Sequence, residues 1–161
     1  MVSAVQTLGA WLARRRWPWW TGVLVWGVVL YLLSDNSHPR TGPEFPFKDK
    51  LLHCLYFSGG AFCFVLALFV ARLVPLTLAR GLIYGFLFAA VCGGLDEWHQ
   101  SFTPGRVGND WADWLADCAG GFLGGALACV FLQRFRRSSA ALWPRYRAEA
   151  MTIGTHSSSG S

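Results

Sequence analysis

The chain has 161 residues, of which 53% are hydrophobic and 14% are charged, a composition that favours a single small membrane domain over a soluble one. It excludes disordered, collagen-like and coiled-coil chains. The net charge of +5 comes with only two lysines and with arginines spread in small groups between apolar runs, so no basic face for a nucleic-acid partner is predicted.

Four apolar segments follow one another along the chain, and each approaches the ~20 residues that cross ~30 Å of hydrocarbon. They are Trp17–Ser34, Leu51–Val74, Gly81–Trp98 and Trp111–Leu132. The first follows three arginines and lacks a small-x-small cleavage site, so we interpret it as an uncleaved anchor. The third is long enough only if it continues to Gln100. The sequence therefore predicts an all-α membrane protein, a compact bundle of four transmembrane helices.

The four predicted spans divide the chain into three parts. Residues 1–16 are expected to be a cytoplasmic segment, either a short interfacial helix, since Val5, Leu8 and Trp11 share helical spacing, or a frayed terminus. Residues 17–134 form the transmembrane domain. Residues 135–161 are expected to be a cytoplasmic tail that ends in a linker-like Ser-rich stretch, in which no functional residue is expected.

The charged residues are distributed unequally between the two ends of the predicted bundle. Ten of the fourteen Lys and Arg fall on the terminal side or in the connection between the second and third spans, whereas eight of the nine acids fall on the opposite side. The positive-inside rule then places both termini in the cytoplasm. We expect a multi-pass protein of the cell membrane with its chemistry on the extracytoplasmic side.

Ionisable residues of three spans are predicted to reach one depth. Helical rise places His53, Asp96 and Asp117 about 24 to 28 Å from the cytoplasmic arginines. A charge that faced lipid at that level would cost several kcal/mol. We therefore expect these residues, with Glu97, to face one another in a cavity open to the outside, and we regard all four as candidate catalytic residues.

Helical spacing adds further residues to this candidate site. Asp49, His53 and Tyr56 form one stripe, so the carboxylate of Asp49 could orient the imidazole. Asp96 shares a face with His99 and Gln100. In the fourth span, one face carries Asp110, Asp113 and Asp117. The candidate ligand-binding residues are Asp49, Lys50, Tyr56, Gln100, Arg106 and Asp113. Beneath the acids, glycines at 120, 121, 124 and 125, with those at 81 and 85, predict close helix packing.

Several roles remain open at this point. His53 is either a structural or a functional histidine, and Asp96 and Glu97 cannot both ionise cheaply, so one could donate a proton. A divalent cation is possible, and His53, Asp96, Glu97 and His99 would hold it, although no recognised metal spacing is present. Arg106 either binds a phosphate or carboxylate, or pairs with a neighbouring acid.

Three motifs together resemble the VanZ-like family of small integral membrane proteins. They are Asp49-Lys50-x-x-His53-x-x-Tyr56, then Asp96-Glu97-x-His99-Gln100-x-Phe102-x-Pro104-Gly105-Arg106, then Asp113-x-x-x-Asp117-x-x-Gly120, and they cover residues 48–125. The resemblance implies a bundle of about four helices and a role in lowered susceptibility to glycopeptide antibiotics such as teicoplanin. It implies no reaction. The stretch before Asp113 is about one residue longer than the family pattern, and the register favours Asp113 over Asp110 as the matching acid.

Three functions are compatible with these features. The first is a cavity that engages membrane lipids or lipid-linked envelope precursors. The second is an enzyme, a hydrolase or transferase that acts on a lipid headgroup by acid/base or metal-assisted chemistry. The third is a proton-linked translocator, although no charged residue lines the cytoplasmic half. The sequence shows no Ser or Cys nucleophile next to a base, and it leaves binding and catalysis open, together with the oligomeric state.

Overall fold

The computed structural model describes residues 4–35, 47–70, 76–105 and 108–156, with side chains up to residue 135. These residues form five α-helices, numbered here in chain order. They are α1 (Ala4–Leu12), α2 (Trp17–Ser34), α3 (Lys48–Phe69), α4 (Leu78–Gln100) and α5 (Trp111–His156). The described part of the chain is helical apart from short connections, which confirms the predicted all-α class.

Four helices are long and apolar enough to cross a membrane, namely α2, α3, α4 and the Trp111–Phe135 part of α5. Their number and order agree with the sequence prediction. Helix α2 has the predicted bounds, and α4 runs on to Gln100, so Asp96 and Glu97 lie within a helix that is long and apolar enough to cross a membrane. The ends of α3 and α5 differ from the prediction because hydropathy reports where an apolar run ends, not where a helix ends. Thus α3 begins at Lys48 and ends at Phe69, and α5 continues to His156.

Helix α5 is the centre of the bundle and packs against both α3 and α4. A Cβ added to Gly120 or Gly124 would collide with backbone carbonyls of α3, and one added to Gly121 or Gly125 would collide with those of α4. Only glycine permits such close backbone approach. The predicted close packing beneath the acids is therefore confirmed.

Helix α2 packs on the outside of α3 and α4. The indole Nε1 of Trp26 donates a hydrogen bond to the carbonyl oxygen of Tyr56 at 3.0 Å. The Tyr56 hydroxyl in turn donates to the carbonyl oxygen of Trp26 at 2.7 Å. These two bonds satisfy both polar side-chain groups at the contact and attach α2 to α3 near the middle of the two helices.

The two ends of the bundle differ in charge. We call the end that carries most of the arginines the basic end, and the opposite end, which carries most of the acids, the polar end. At the basic end, α1 packs against the part of α5 around Phe135, where a Cβ on Gly9 would meet the phenyl ring. At the polar end, α2 and α4 finish while α3 and α5 begin. Large exposed aromatic side chains lie at both ends, and they are Trp11, Trp17 and Trp20 at the basic end and Phe47, Trp98, Phe102 and Trp111 at the polar end. Two such belts are typical of helices that cross a bilayer.

Within the N-terminal segment, Ala4–Leu12 form the helix α1. Val5, Leu8 and Trp11 of α1 are exposed, as an interfacial helix requires. The indole Nε1 of Trp19 donates to the carbonyl oxygen of Leu12 at 3.0 Å, and this bond attaches the end of α1 to the start of α2. The location of α1 at a membrane surface stays a prediction.

Candidate functional site

Eight ionisable side chains gather at the polar end, and we call them the polar cluster. They are Asp49, Lys50, His53, Asp96, Glu97, Asp110, Asp113 and Asp117. Four of the acids are nine-tenths or more buried: Asp96 is 6%, Glu97 4%, Asp113 8% and Asp117 0% exposed. Buried acids on membrane-spanning helices are costly and mark functional positions by default. The sequence prediction that acids of α4 and α5 face inward is confirmed.

His53 and Asp117 form the innermost pair of the cluster. The Nδ1 of His53 lies 2.9 Å from Oδ1 of Asp117. An ionised Asp117 carboxylate only accepts hydrogen bonds, so Nδ1 of His53 carries a proton in this pair. The other ring nitrogen, Nε2, then faces Asp113, whose Oδ1 is 3.8 Å away. The buried acid therefore orients the imidazole and leaves Nε2 to meet a proton, a cation or a ligand.

This pairing corrects one expectation from helical spacing. The same-helix stripe suggested Asp49 as the residue that orients His53, but the carboxylate that accepts the hydrogen bond from the imidazole is that of Asp117 on α5. Space for Asp117 comes from Gly93 on α4, where an added Cβ would lie 2.5 Å from Oδ2 of the carboxylate. Sequence analysis missed Gly93. Its position one turn before Asp96, on the same helical face, is the signal that could have identified it.

Lys50 is the counter-ion of the outer part of the cluster. Its Nζ lies 2.6 Å from Oδ1 of Asp113, 3.0 Å from Oδ2 of Asp110 and 3.3 Å from Oδ2 of Asp49. Three carboxylates thus engage the three donors of the ammonium group. The Lys50 ammonium, together with the backbone N–H of Ala112, holds the pKa of Asp110 below its ordinary value. A ligand that binds Lys50 has to displace carboxylates first.

Asp96 and Glu97 connect α4 to the cluster. Oε2 of Glu97 accepts a hydrogen bond from the backbone N–H of Asp110 at 2.7 Å, immediately before α5 begins. Oδ2 of Asp96 accepts from Nε2 of Gln100 at 2.8 Å. Two buried oxygens, Oε1 of Glu97 and Oδ2 of Asp117, have no hydrogen-bond partner among the described residues. A buried acceptor without a partner is costly, so a proton, a water molecule or a cation would stabilise this region.

Three other predicted site residues are not among the members of the polar cluster. Two of them make their hydrogen bonds to α2, and the third lies outside the described residues. The Nδ1 of His99 is 3.2 Å from Oγ of Ser34, at the contact between α2 and α4. The hydroxyl of Tyr56 is bonded to α2, as described above, although Tyr56 lies near enough to Asp96 to interact with it electrostatically. Arg106 lies outside the described residues.

The structure does not bring together the four residues that the sequence suggested for a cation. Among the described residues, the side chains whose ligand atoms do converge are Asp49, His53 and Asp113, all within 4.8 Å of one another. His99 is held at the α2–α4 contact instead. Of the four residues that the sequence suggested, His53 belongs to this group.

Comparisons with known proteins give no relative from which the role of the cluster could be inferred. No family model, no curated protein and no solved structure matches the chain. The function has to follow from the chemistry of the polar cluster itself.

Proposed function

We propose that this chain is a VanZ-like multi-pass protein of the cell membrane whose polar cluster engages the headgroup of an envelope lipid or lipid-linked precursor. Both termini would lie in the cytoplasm and the polar cluster would open to the outer face. The observation that carries the proposal is Asp117, which is 0% exposed within a spanning helix and orients His53 toward the polar end. Such an acid is retained against its desolvation cost where it serves a function.

The charge distribution supports this orientation. The arginines at positions 14, 15, 16, 80 and 134 are all at the basic end, and the acids of the cluster are at the other. The positive-inside rule assigns the basic end to the cytoplasm. The polar cluster then lies near the outer face of the membrane, at the end of the bundle closest to the outer headgroups.

A site at one end fits the chain better than a path through it. Residues 55–69 of α3, 81–95 of α4 and 118–133 of α5 contain no Asp, Glu, Lys, Arg or His. A proton-linked translocator needs ionisable groups along the route. The local site is therefore favoured over the translocator.

Native mass spectrometry tests the binding proposal. The purified protein is incubated with an envelope-lipid extract in detergent, and the retained adducts are counted. We expect the wild type to retain a lipid that Asp117→Asn retains at least ten-fold less, and Asp35→Asn, an exposed acid at the end of α2, serves as the matched control. Equal retention by the wild type and Asp117→Asn would refute a headgroup site at the cluster.

A second candidate function, acid/base catalysis on the same headgroup, is favoured by the geometry of His53. A buried carboxylate on Nδ1, with Nε2 on the other side of the ring and 3.8 Å from Asp113, is the arrangement that orients a general base. The extract from the same incubation distinguishes the two. A product that the wild type makes and His53→Gln does not make would establish catalysis, whereas an unchanged lipid with retained adducts would establish binding alone.

The resemblance to the VanZ-like family adds a cellular expectation. In a susceptible host, expression of the wild type should raise the teicoplanin concentration that inhibits growth. Asp117→Asn should lose this effect at equal protein abundance, because the headgroup contact is lost. Retention of the full effect by Asp117→Asn would separate the phenotype from the polar cluster.

A further inference from the structure

We propose that Nε2 of His53 and the carboxylates of Asp49 and Asp113 bind a Zn²⁺ ion on the outward side of the polar cluster. Each of these three residues offers a ligand atom, and these atoms lie within 4.8 Å of one another. Tetrahedral Zn²⁺ with bonds of about 2.1 Å holds its ligands roughly 3.4 Å apart. The ligand atoms of Asp49 and His53 near the start of α3 and of Asp113 near the start of α5 would therefore have to approach one another by about 1.4 Å at most. One imidazole and two carboxylates suit Zn²⁺ and leave its fourth position open.

The orientation of His53 supports a metal ligand. Metal-binding histidines almost always donate their other ring N–H to a carboxylate, which fixes the ring and its tautomer. Asp117 occupies this second position, 2.9 Å from Nδ1, and it is fully buried. The nitrogen left over is Nε2, and it faces Asp113.

A buried oxygen without a hydrogen-bond partner among the described residues supports a cation near these three ligands. Oε1 of Glu97 lacks a hydrogen-bond partner among the described residues, and Glu97 is 4% exposed. Its other oxygen is fixed by the backbone of Asp110, and the side chain lies close enough to Asp113 and His53 to interact with both electrostatically. A cation between these residues would supply the positive charge that this carboxylate lacks.

The balance of charge in the cluster agrees with this assignment. Six carboxylates face one lysine and one histidine. Lys50 holds Asp113 at 2.6 Å and therefore competes with the metal for that carboxylate. Removing the ammonium group should strengthen Zn²⁺ binding, whereas removing any one of the three ligands should weaken it.

A bound cation would also explain how an acidic cluster could attract an anionic headgroup. The open fourth position of Zn²⁺ could accept a phosphate oxygen. This extension rests on the proposed function, but the binding of Zn²⁺ itself does not.

Titration of the metal-free, full-length protein in detergent with Zn²⁺, in competition with a chromogenic chelator, tests the site. We expect one Zn²⁺ per chain, with affinity at least ten-fold weaker in His53→Gln and in Asp113→Asn. Lys50→Met should bind Zn²⁺ more tightly than the wild type, and Asp35→Asn should bind it as the wild type does. Far-ultraviolet circular dichroism confirms the helical content of each variant.

Asp49→Asn keeps the test decisive if the inner variants misfold, because the side chain of Asp49 is 68% exposed and its loss leaves the buried contacts intact. We expect this variant also to lose at least ten-fold in affinity. No saturable binding by the wild type, or unchanged affinity in Asp49→Asn and His53→Gln, would overturn the proposal. Lipid adducts without Zn²⁺ binding would overturn the metal site alone, and Zn²⁺ binding without adducts would overturn the lipid proposal alone.

Discussion

Replacing Asp117 by Asn separates a functional carboxylate from a structural one. The amide keeps the size of the side chain and one oxygen acceptor, so the 2.9 Å hydrogen bond from Nδ1 of His53 can persist. The substitution removes the negative charge that stabilises a protonated imidazole or orients a metal-bound one. Function and stability should therefore respond differently.

The magnitude of the stability change follows from two opposing effects. A hydrogen bond to a charged group contributes about 1.5–3 kcal/mol and a neutral one about 0.5–1.5 kcal/mol, so the weakened bond costs about 1 kcal/mol. The loss of a fully buried charge with an unpartnered oxygen offsets part of that cost. A net change below about 1 kcal/mol corresponds to less than about 4 °C in melting temperature for a chain of this size.

The assay compares the detergent melting temperature with the retained lipid adducts and with the teicoplanin phenotype. Loss of a carboxylate behind a functional histidine lowers binding or activity by about 10- to 100-fold. We expect that loss at a nearly unchanged melting temperature. A fall of more than about 10 °C together with the loss of function would show that Asp117 is structural, and the reasoning from its burial would be refuted.

Three other predictions concern packing, orientation and pH. Gly121→Ala should lower the melting temperature, because a Cβ there collides with α4 and overpacking costs about 1–3 kcal/mol, whereas Gly59→Ala, which meets nothing within 4 Å, should not; equal melting of both variants would contradict the packing. In a cysteine-free background, a cysteine at Asn109 should react with an impermeant reagent in intact cells and one at Val5 should not, and the reverse result would invert the topology. Lys50 pairs with Asp110 and lowers the pKa of this carboxylate from 3.8. The stabilising effect of the ion pair is therefore complete above pH 3.8 and disappears as the pH falls through the lowered pKa. The difference in melting temperature between Asp110→Asn and the wild type should therefore shrink below pH 3.8, and a constant difference would exclude the ion pair as its cause.

The spans and the inward-facing acids could be predicted from the sequence because both depend on local patterns. Hydropathy over about 20 residues identifies a spanning helix, and a charge within such a run has to avoid lipid. These two rules were sufficient to place Asp96 and Asp117 in the interior. They required no knowledge of how the helices pack.

The partners of each side chain could not be predicted in the same way. Spacing along one helix identifies neighbours on that helix, which is why Asp49 was expected to orient His53. The actual partner, Asp117, belongs to another helix, and its reach depends on how α3 and α5 are rotated against each other. Lys50 shows the same limit, since two of its three carboxylates are on the α5 side.

Rotation of the helices is set by the glycines, and this connects packing with chemistry. Helix α5 approaches α3 through Gly120 and Gly124 and approaches α4 through Gly121 and Gly125, so both neighbours are held by backbone contacts that allow little freedom. Asp117 lies one turn above these glycines and is directed by them into the angle between α3 and α4. There it meets His53 on one side and the space left by Gly93 on the other. The geometry of the polar cluster is therefore a consequence of close helix packing below it, and loosening that packing should displace the carboxylate before it unfolds the bundle.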